Sequence, residues 1–212
     1  MLNFLPESIA RRLQEEVTEN LVIADRFPNV SVLFADMVGF TKLASEIPAI
    51  ELIVKLNSIF SEFDKLTEKY GLEKIKTIGD GYMVASGLSI LRDDRADAIV
   101  EIALAMQQAM TKLNAQTNKF LSLGIGIHSG PVVAGVIGTK KFSYDLWGDT
   151  VNTTSRMEQY SFAGCIQVTE DTYKQLSKKH LFAERGMIDV KGKGNMRTYL
   201  LDCSEHLNRC SA

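Results

Sequence analysis

The chain has 212 residues, 24 Lys and Arg against 26 Asp and Glu, a formal net charge of −2, and 45% hydrophobic residues. That is length enough for one domain with a real core, and the plentiful apolar residues exclude an intrinsically disordered chain. No basic excess speaks for nucleic acid as a partner, and no apolar run reaches the ~18–20 residues of a membrane-crossing helix. Three cysteines, Cys165, Cys203 and Cys210, lack the spacing of a zinc site or a disulfide framework and are expected as reduced thiols.

Ile9, Leu13 and Val17 recur every four residues and predict a helix over Pro6–Asn20, followed by a turn-rich connector, Ala24–Asn29. Val30–Phe34 reads as a buried strand running out at Asp36. From Ser45 to Tyr70 the apolar residues keep a 3.6-residue period, which predicts one long amphipathic helix closed by Gly71. Leu72–Ile78 and Tyr82–Gly87 flank Gly79-Asp80-Gly81, the pattern of a tight hairpin. A helix over Asp94–Asn114 and a strand over Phe120–His128 follow, and Gly130-Pro131 punctuates the chain before the apolar stretch Val132–Gly138. A helix over Thr150–Gln159, a strand at Ile166–Val168, a short helix at Glu170–Ser177 and strands at Gly186–Val190 and Thr198–Leu201 complete it. This order predicts an α+β fold, a mainly antiparallel sheet with helices on one face and a C-terminal α/β extension, not a Rossmann fold.

Two carboxylates stand out. Asp36 ends a hydrophobic strand and Asp80 sits at a hairpin tip; if the two strands are neighbours, both acids converge on one point. Two hard oxygen ligands suit Mg²⁺, which keeps its other positions for water and substrate phosphates. Gly39 turns the chain so that the amides of Phe40 and Thr41 can meet a polyphosphate. A capping Asp36 and a simple turn at Asp80 account for the same spacing. Gly124-Ile-Gly126 and Gly135–Lys140 match neither phosphate-loop pattern, and His128 has no Ser, Cys or second His at useful spacing, so a structural role is expected for it.

Phe34-Ala-Asp-Met-Val-Gly-Phe-Thr41, Lys74-Ile-Lys-Thr-Ile-Gly-Asp-Gly-Tyr-Met83 and Tyr144–Glu158 resemble the signatures of class III nucleotidyl cyclases, and His128–Gly135 and Val190–Gly194 match further motifs in family order. The resemblance implies a ferredoxin-like, palm-like core in which Asp36 and Asp80 hold two Mg²⁺ or Mn²⁺ ions, with the Met37 carbonyl as an extra ligand. It places the transition-state residues at Asn152 and Arg156, whose i, i+4 spacing sets both on one helix face, and the phosphate-gripping lysine at Lys191, with Lys140 assisting. The base-reading pair falls on Lys76 and Asp145. A lysine donates to N1 of adenine and a carboxylate accepts from its 6-amino group, whereas guanine reverses both edges. The family's guanylate cyclases carry Glu and Cys-like residues there, so ATP is the expected substrate and cyclic AMP the product.

The resemblance further implies sites shared across a homodimer, with the aspartates from one chain and Lys76, Asp145, Asn152 and Arg156 from the other. Residues 1–28 are then a coupling helix and connector, 29–202 the catalytic domain and 203–212 a tail. An upstream regulatory or membrane module, with the catalytic end in the cytoplasm, is expected. The competing readings are a guanylate cyclase, a non-catalytic nucleotide-binding dimerisation module, and a diguanylate-forming palm domain, whose GG[DE]EF-type hairpin Ile78–Tyr82 does not supply.

Overall fold

A computed structural model of the chain describes residues 11, 23–90, 92–117, 121–138, 142–177 and 179–201. Apart from Arg11, the helix expected over Pro6–Asn20 lies outside the described residues, as do Lys140 and the tail. In chain order the elements are β1 (Ile23–Val38), α1 (Phe40–Glu46), α2 (Ala49–Lys69), β2 (Glu73–Ile78), β3 (Gly81–Ser86), α3 (Arg95–Thr117) and β4 (Ser122–Ile137). There follow β5 (Ser143–Trp147), α4 (Asp149–Gln159), β6 (Ile166–Thr169), α5 (Glu170–Tyr173), β7 (Ala183–Val190) and β8 (Gly194–Leu201).

The fold is α+β, as expected. One sheet runs β2-β3-β1-β4-β6-β8-β7, and β5 pairs with the second half of β4. Every pairing is antiparallel except β4 with β6. Period-2 alternation along β1 divides its side chains between two cores. Leu33, Ala35 and Met37 pack with Leu43 of α1, Ile59 and Phe63 of α2, Ile102 and Met106 of α3, and Leu123, Ile125 and Ile127 of β4. On the other face Val30 and Val32 pack with Met83, Ala85, Val132, Tyr144 and Leu146.

The helix α4 lies on that second face, over β4, while α1, α2 and α3 cover the first, so helices stand on both faces of the sheet rather than on the one expected. Gly126 makes this possible: a Cβ there would overlap the backbone nitrogen of Glu158 and the carbonyl carbon of Met157. Backbone cannot swing aside as a side chain can. We expect Gly126→Ala to cost ~2–3 kcal/mol, read as a lower denaturant midpoint at unchanged slope. Gly124→Ala, whose Cβ would meet nothing closer than 3.7 Å, is the control and costs far less.

Several boundaries differ from the sequence reading. The expected connector Ala24–Asn29 is strand, and β4 runs straight through Gly130-Pro131. Both follow from one irregularity: the β1–β4 register shifts between Phe27 and Val30, so Pro28 and Asn29 stand against Pro131 at a point outside the ladder, where the N–H that each proline lacks is not called on. The helix expected over Ser45–Tyr70 is two, α1 and α2, because Ile47 is held extended ahead of Pro48. Cys165 is fully buried and disulfide-bonded, which corrects the expected reduced thiol; the other two cysteines lie outside the described residues.

Candidate active site

Asp36 follows directly on the last β1–β3 pair, Ala35 with Tyr82, and Asp80 lies in the turn that opens β3, so adjacent strands carry both acids to one end of the sheet. A Cβ at Gly81 would stand 3.4 Å from Asp36 Oδ1, so the Asp36 carboxylate leans over the start of β3. Burial pushes its pKa up, the charge of Asp80 pushes it further, and the Met37 amide N–H pulls it partly back. Neither acid is in an ion pair among the described residues. Two half-buried carboxylates held close without a cation fit a hard divalent ion. No group of three His, Cys, Asp or Glu side chains among the described residues is disposed to hold an ion by itself. The Met37 side chain is buried in the first core, which leaves only its carbonyl to serve the site.

A third carboxylate faces this pair and escaped the sequence reading. Gly124 pairs with Asp36, and the Glu158 carboxylate stands over Gly124, its Oε1 3.7 Å from where a Cβ would be. Burial first, then the charges of Asp36 and Asp80, push its pKa up to about 7. The signal for it was available: alternate glycines on β4 announce a helix packed closely on that face.

A pKa raised in the folded state means the fold binds the proton more tightly than the unfolded chain does. The resulting stabilisation is full below the ordinary carboxylate range and is lost as pH rises through about 7. Asp36 shifts in the same direction and adds to the trend. In EDTA the melting temperature is therefore expected to fall between pH 5 and pH 7.5, and Glu158→Gln should flatten most of that slope. An unchanged slope in Glu158→Gln would contradict this origin.

The expected base-reading residues meet within one chain. Lys76 Nζ donates to Asp145 Oδ2 at 2.5 Å, with the two side chains 34% and 16% exposed, and the Leu146 N–H donates to Asp145 Oδ1 at 2.8 Å. Asp145 is thus oriented from its own backbone. Lys76 reaches it because the β2–β3 register shifts between Lys74 and Lys76.

Along α4, Thr150, Thr153, Thr154 and Met157 are buried against the sheet at helical spacing, while Asn152 and Arg156 lie on the outer side. Thr150 Oγ1 donates to the Pro131 carbonyl at 2.7 Å and fixes the first turn. Arg156 Nη1 donates to Gln159 Oε1 at 2.6 Å, and no hydrogen bond or ion pair among the described residues joins Asn152 or Arg156 to Asp36, Asp80, Lys76 or Asp145. Lys191 is exposed in the turn between β7 and β8, and its neighbour Lys193 pairs with Asp149 at the start of α4. Gly39, at a φ of 87°, precedes α1, so Phe40 and Thr41 form the helix's first turn, where amides have no intrahelical acceptor. His128 is buried, bonded through Nδ1 to Thr169 Oγ1 at 2.7 Å, and burial lowers its pKa to about 4. It is therefore a neutral packing residue rather than a base poised near neutrality.

Residues 22–203 match the family model described as the adenylate and guanylate cyclase catalytic domain. The chain is 46% identical to an adenylate cyclase of Mycobacterium tuberculosis over 201 residues, which is 95% of this chain and 45% of that protein. It is 39% identical to the guanylate cyclase soluble subunit beta-2 of Rattus norvegicus, over 93% of this chain and 29% of that one. It thus spans less than half the length of these curated relatives. Among solved structures, the adenylyl cyclase CyaB from P. aeruginosa superimposes with a TM-score of 0.81 at 31% identity, covering 84% of this chain and 95% of that one. With the paired aspartates, the lysine–aspartate pair and the Asn-Arg helix in family order on this sheet, the chain belongs to the class III nucleotidyl cyclases.

Proposed function

We propose that this domain is an adenylate cyclase, closing ATP to 3′,5′-cyclic AMP and pyrophosphate; the observation that carries the reading is the Lys76–Asp145 pair. A half-buried ammonium beside a carboxylate, with the carboxylate fixed by the Leu146 amide, offers a donor and an acceptor side by side. Adenine's N1 and 6-amino group complement them. Guanine would leave both groups facing like partners, at ~1–3 kcal/mol each, or about 10²-fold together.

Asp36 and Asp80, with the Met37 carbonyl, would hold Mg²⁺ or Mn²⁺. Such an ion, when bound, acidifies the ribose 3′-hydroxyl and neutralises triphosphate charge. The chain's own groups do the rest. The Asn152 amide orients the ribose, and the Arg156 guanidinium takes up charge that develops on the α-phosphate as the 3′-oxygen attacks in line. Lys191, Lys140 and the Phe40 and Thr41 amides bind the outgoing phosphates.

Asn152 and Arg156 lie on the outer side of α4, and no hydrogen bond or ion pair among the described residues joins them to the aspartates, which supports a second copy of the chain completing each site. Exposed apolar side chains at Val38, Ile78, Ile137 and Phe142 flank the segments that carry Asp36, Asp80 and Asp145 and offer that copy a surface. A symmetric homodimer then has two equivalent sites. Residues 1–22 would couple the domain to an upstream module of a larger protein, with the catalytic end in the cytoplasm, tethered or not, while residues 23–28 belong to β1 of the sheet itself.

Calorimetric binding of 3′-deoxy-ATP and 3′-deoxy-GTP in Mg²⁺ tests the base reading without turnover. The expected outcome is at least ~10-fold tighter binding of the adenine analogue, lost in Lys76→Met. Equal binding of the two by the unmutated protein would contradict it.

A further inference from the structure

The hairpin formed by β2 and β3 carries Lys76 on one strand and Asp80 in its turn, and its register decides which face Lys76 occupies. Glu73 pairs with Ala85 and Lys74 with Val84, but Lys76 pairs with Met83, so Ile75 is an extra residue bulged out of the ladder. Val84 and Tyr82 belong to the first core, whereas Met83 and Ala85 belong to the second. Without the bulge Lys76 would stand opposite Tyr82 and share the face of Lys74. With it, Lys76 is turned to the face of Asp145, and Ile75 packs into the second core beside it.

A polar cluster grips the hairpin on both sides of that bulge. Asp64 of α2 accepts at one oxygen, Oδ1, from Lys74 Nζ at 2.6 Å and from the Tyr82 hydroxyl at 2.5 Å. Tyr82 is fully buried, with its ring edge-on to Phe63 at 5.4 Å between centroids, and Lys74 Nζ stands 5.0 Å from the Tyr82 ring centre. The Thr67 hydroxyl lies 3.3 Å from the Tyr82 hydroxyl and itself donates to the Phe63 carbonyl at 2.8 Å. One helix residue thus holds Lys74, two positions before Lys76, and Tyr82, two positions after Asp80.

We propose that Asp64 is a positioning residue for base selection: through Lys74 and Tyr82 it fixes the bulged register of the hairpin, and with it the approach of Lys76 to Asp145. A slip of one residue inverts every side chain between the two faces, so a strand with two available registers needs such a pin. The consequence for adenine rests on the adenylate reading; the register itself does not.

The test uses Asp64→Asn, Tyr82→Phe and the double variant, with melting temperature, kcat and KM for ATP and GTP, and amide hydrogen exchange across β2. Because the three groups act as one pin, we expect each single variant and the double to lower the ATP-over-GTP ratio of kcat/KM by about 10-fold. The change should come through KM for ATP. Exchange at Lys76, Thr77 and Ile78 should rise in all three while the amides of α3 stay protected. Asp64→Glu, which keeps the carboxylate, should recover part of the ratio. A merely structural role predicts a lower melting temperature with KM, the ratio and β2 exchange unchanged, and that result would overturn the proposal. If the unmutated protein itself fails to prefer ATP, the adenylate reading is what has failed, and the exchange at β2 then decides on the register alone: a rise supports the pin, no rise refutes it.

Discussion

Asp36→Ala and Arg156→Ala are each expected to lose cyclase activity by ~10³-fold or more, and an equimolar mixture of the two inactive proteins is expected to regain about one quarter of it. The first loss removes one of two carboxylates brought close enough for the charge of one to raise the pKa of the other. The second removes a guanidinium whose charge matters only as negative charge builds on the phosphate, so kcat should fall more than KM rises. Recovery follows from geometry. If the aspartates of one chain work with the Arg156 of another, half the randomly assorted dimers are mixed, and each mixed dimer has one intact site out of two. Size-exclusion chromatography checks that the mixture does form dimers. Inactive mixed dimers would contradict a shared site and place all the groups within one chain.

The second large effect is on the base. Lys76→Glu combined with Asp145→Cys removes the 2.5 Å ion pair and both complementary edges to adenine. The expected fall in kcat/KM for ATP is about 10²-fold or more, with the Mn²⁺ concentration for half-maximal activity unchanged, because no hydrogen bond or ion pair among the described residues joins Asp36 or Asp80 to the pair. A parallel loss of metal affinity would show that the substitutions had disturbed the hairpin as a whole. Steady-state kinetics at several Mn²⁺ concentrations separates the two outcomes.

Asp36 and Asp80 stand out from the residues themselves, as acids at a strand end and a hairpin tip, whereas Lys76, Asp145, Asn152 and Arg156 stand out only through the resemblance of their separate short motifs to those of class III cyclases. That Lys76 and Asp145, 69 residues apart, meet is seen only in the fold. The fold class was legible, since alternation along β1 and the helical period of α2 and α3 are local signals. What stayed hidden depends on contacts between distant segments. Pro28 and Pro131 read singly as breaks, yet both fall at the one irregular point of the β1–β4 pairing and interrupt neither strand. Glu158 reads as a surface residue of a polar helix until Gly124 and Gly126 bring α4 down onto β4. The bulge at Ile75 leaves no mark in a run of strand-forming residues, because it is set by which residue of β3 pairs with Lys76.

The measurement that bears most directly on the central claim is the identity of the product. Incubation of the protein with ATP and with GTP, each in Mg²⁺ and in Mn²⁺ over a range of protein concentration, with the cyclic nucleotides separated by chromatography, decides it. The account predicts cyclic AMP from ATP, little cyclic GMP from GTP, and a rate that rises faster than linearly with protein where the dimer is forming. Predominant cyclic GMP would contradict the reading of Lys76 and Asp145 as an adenine site.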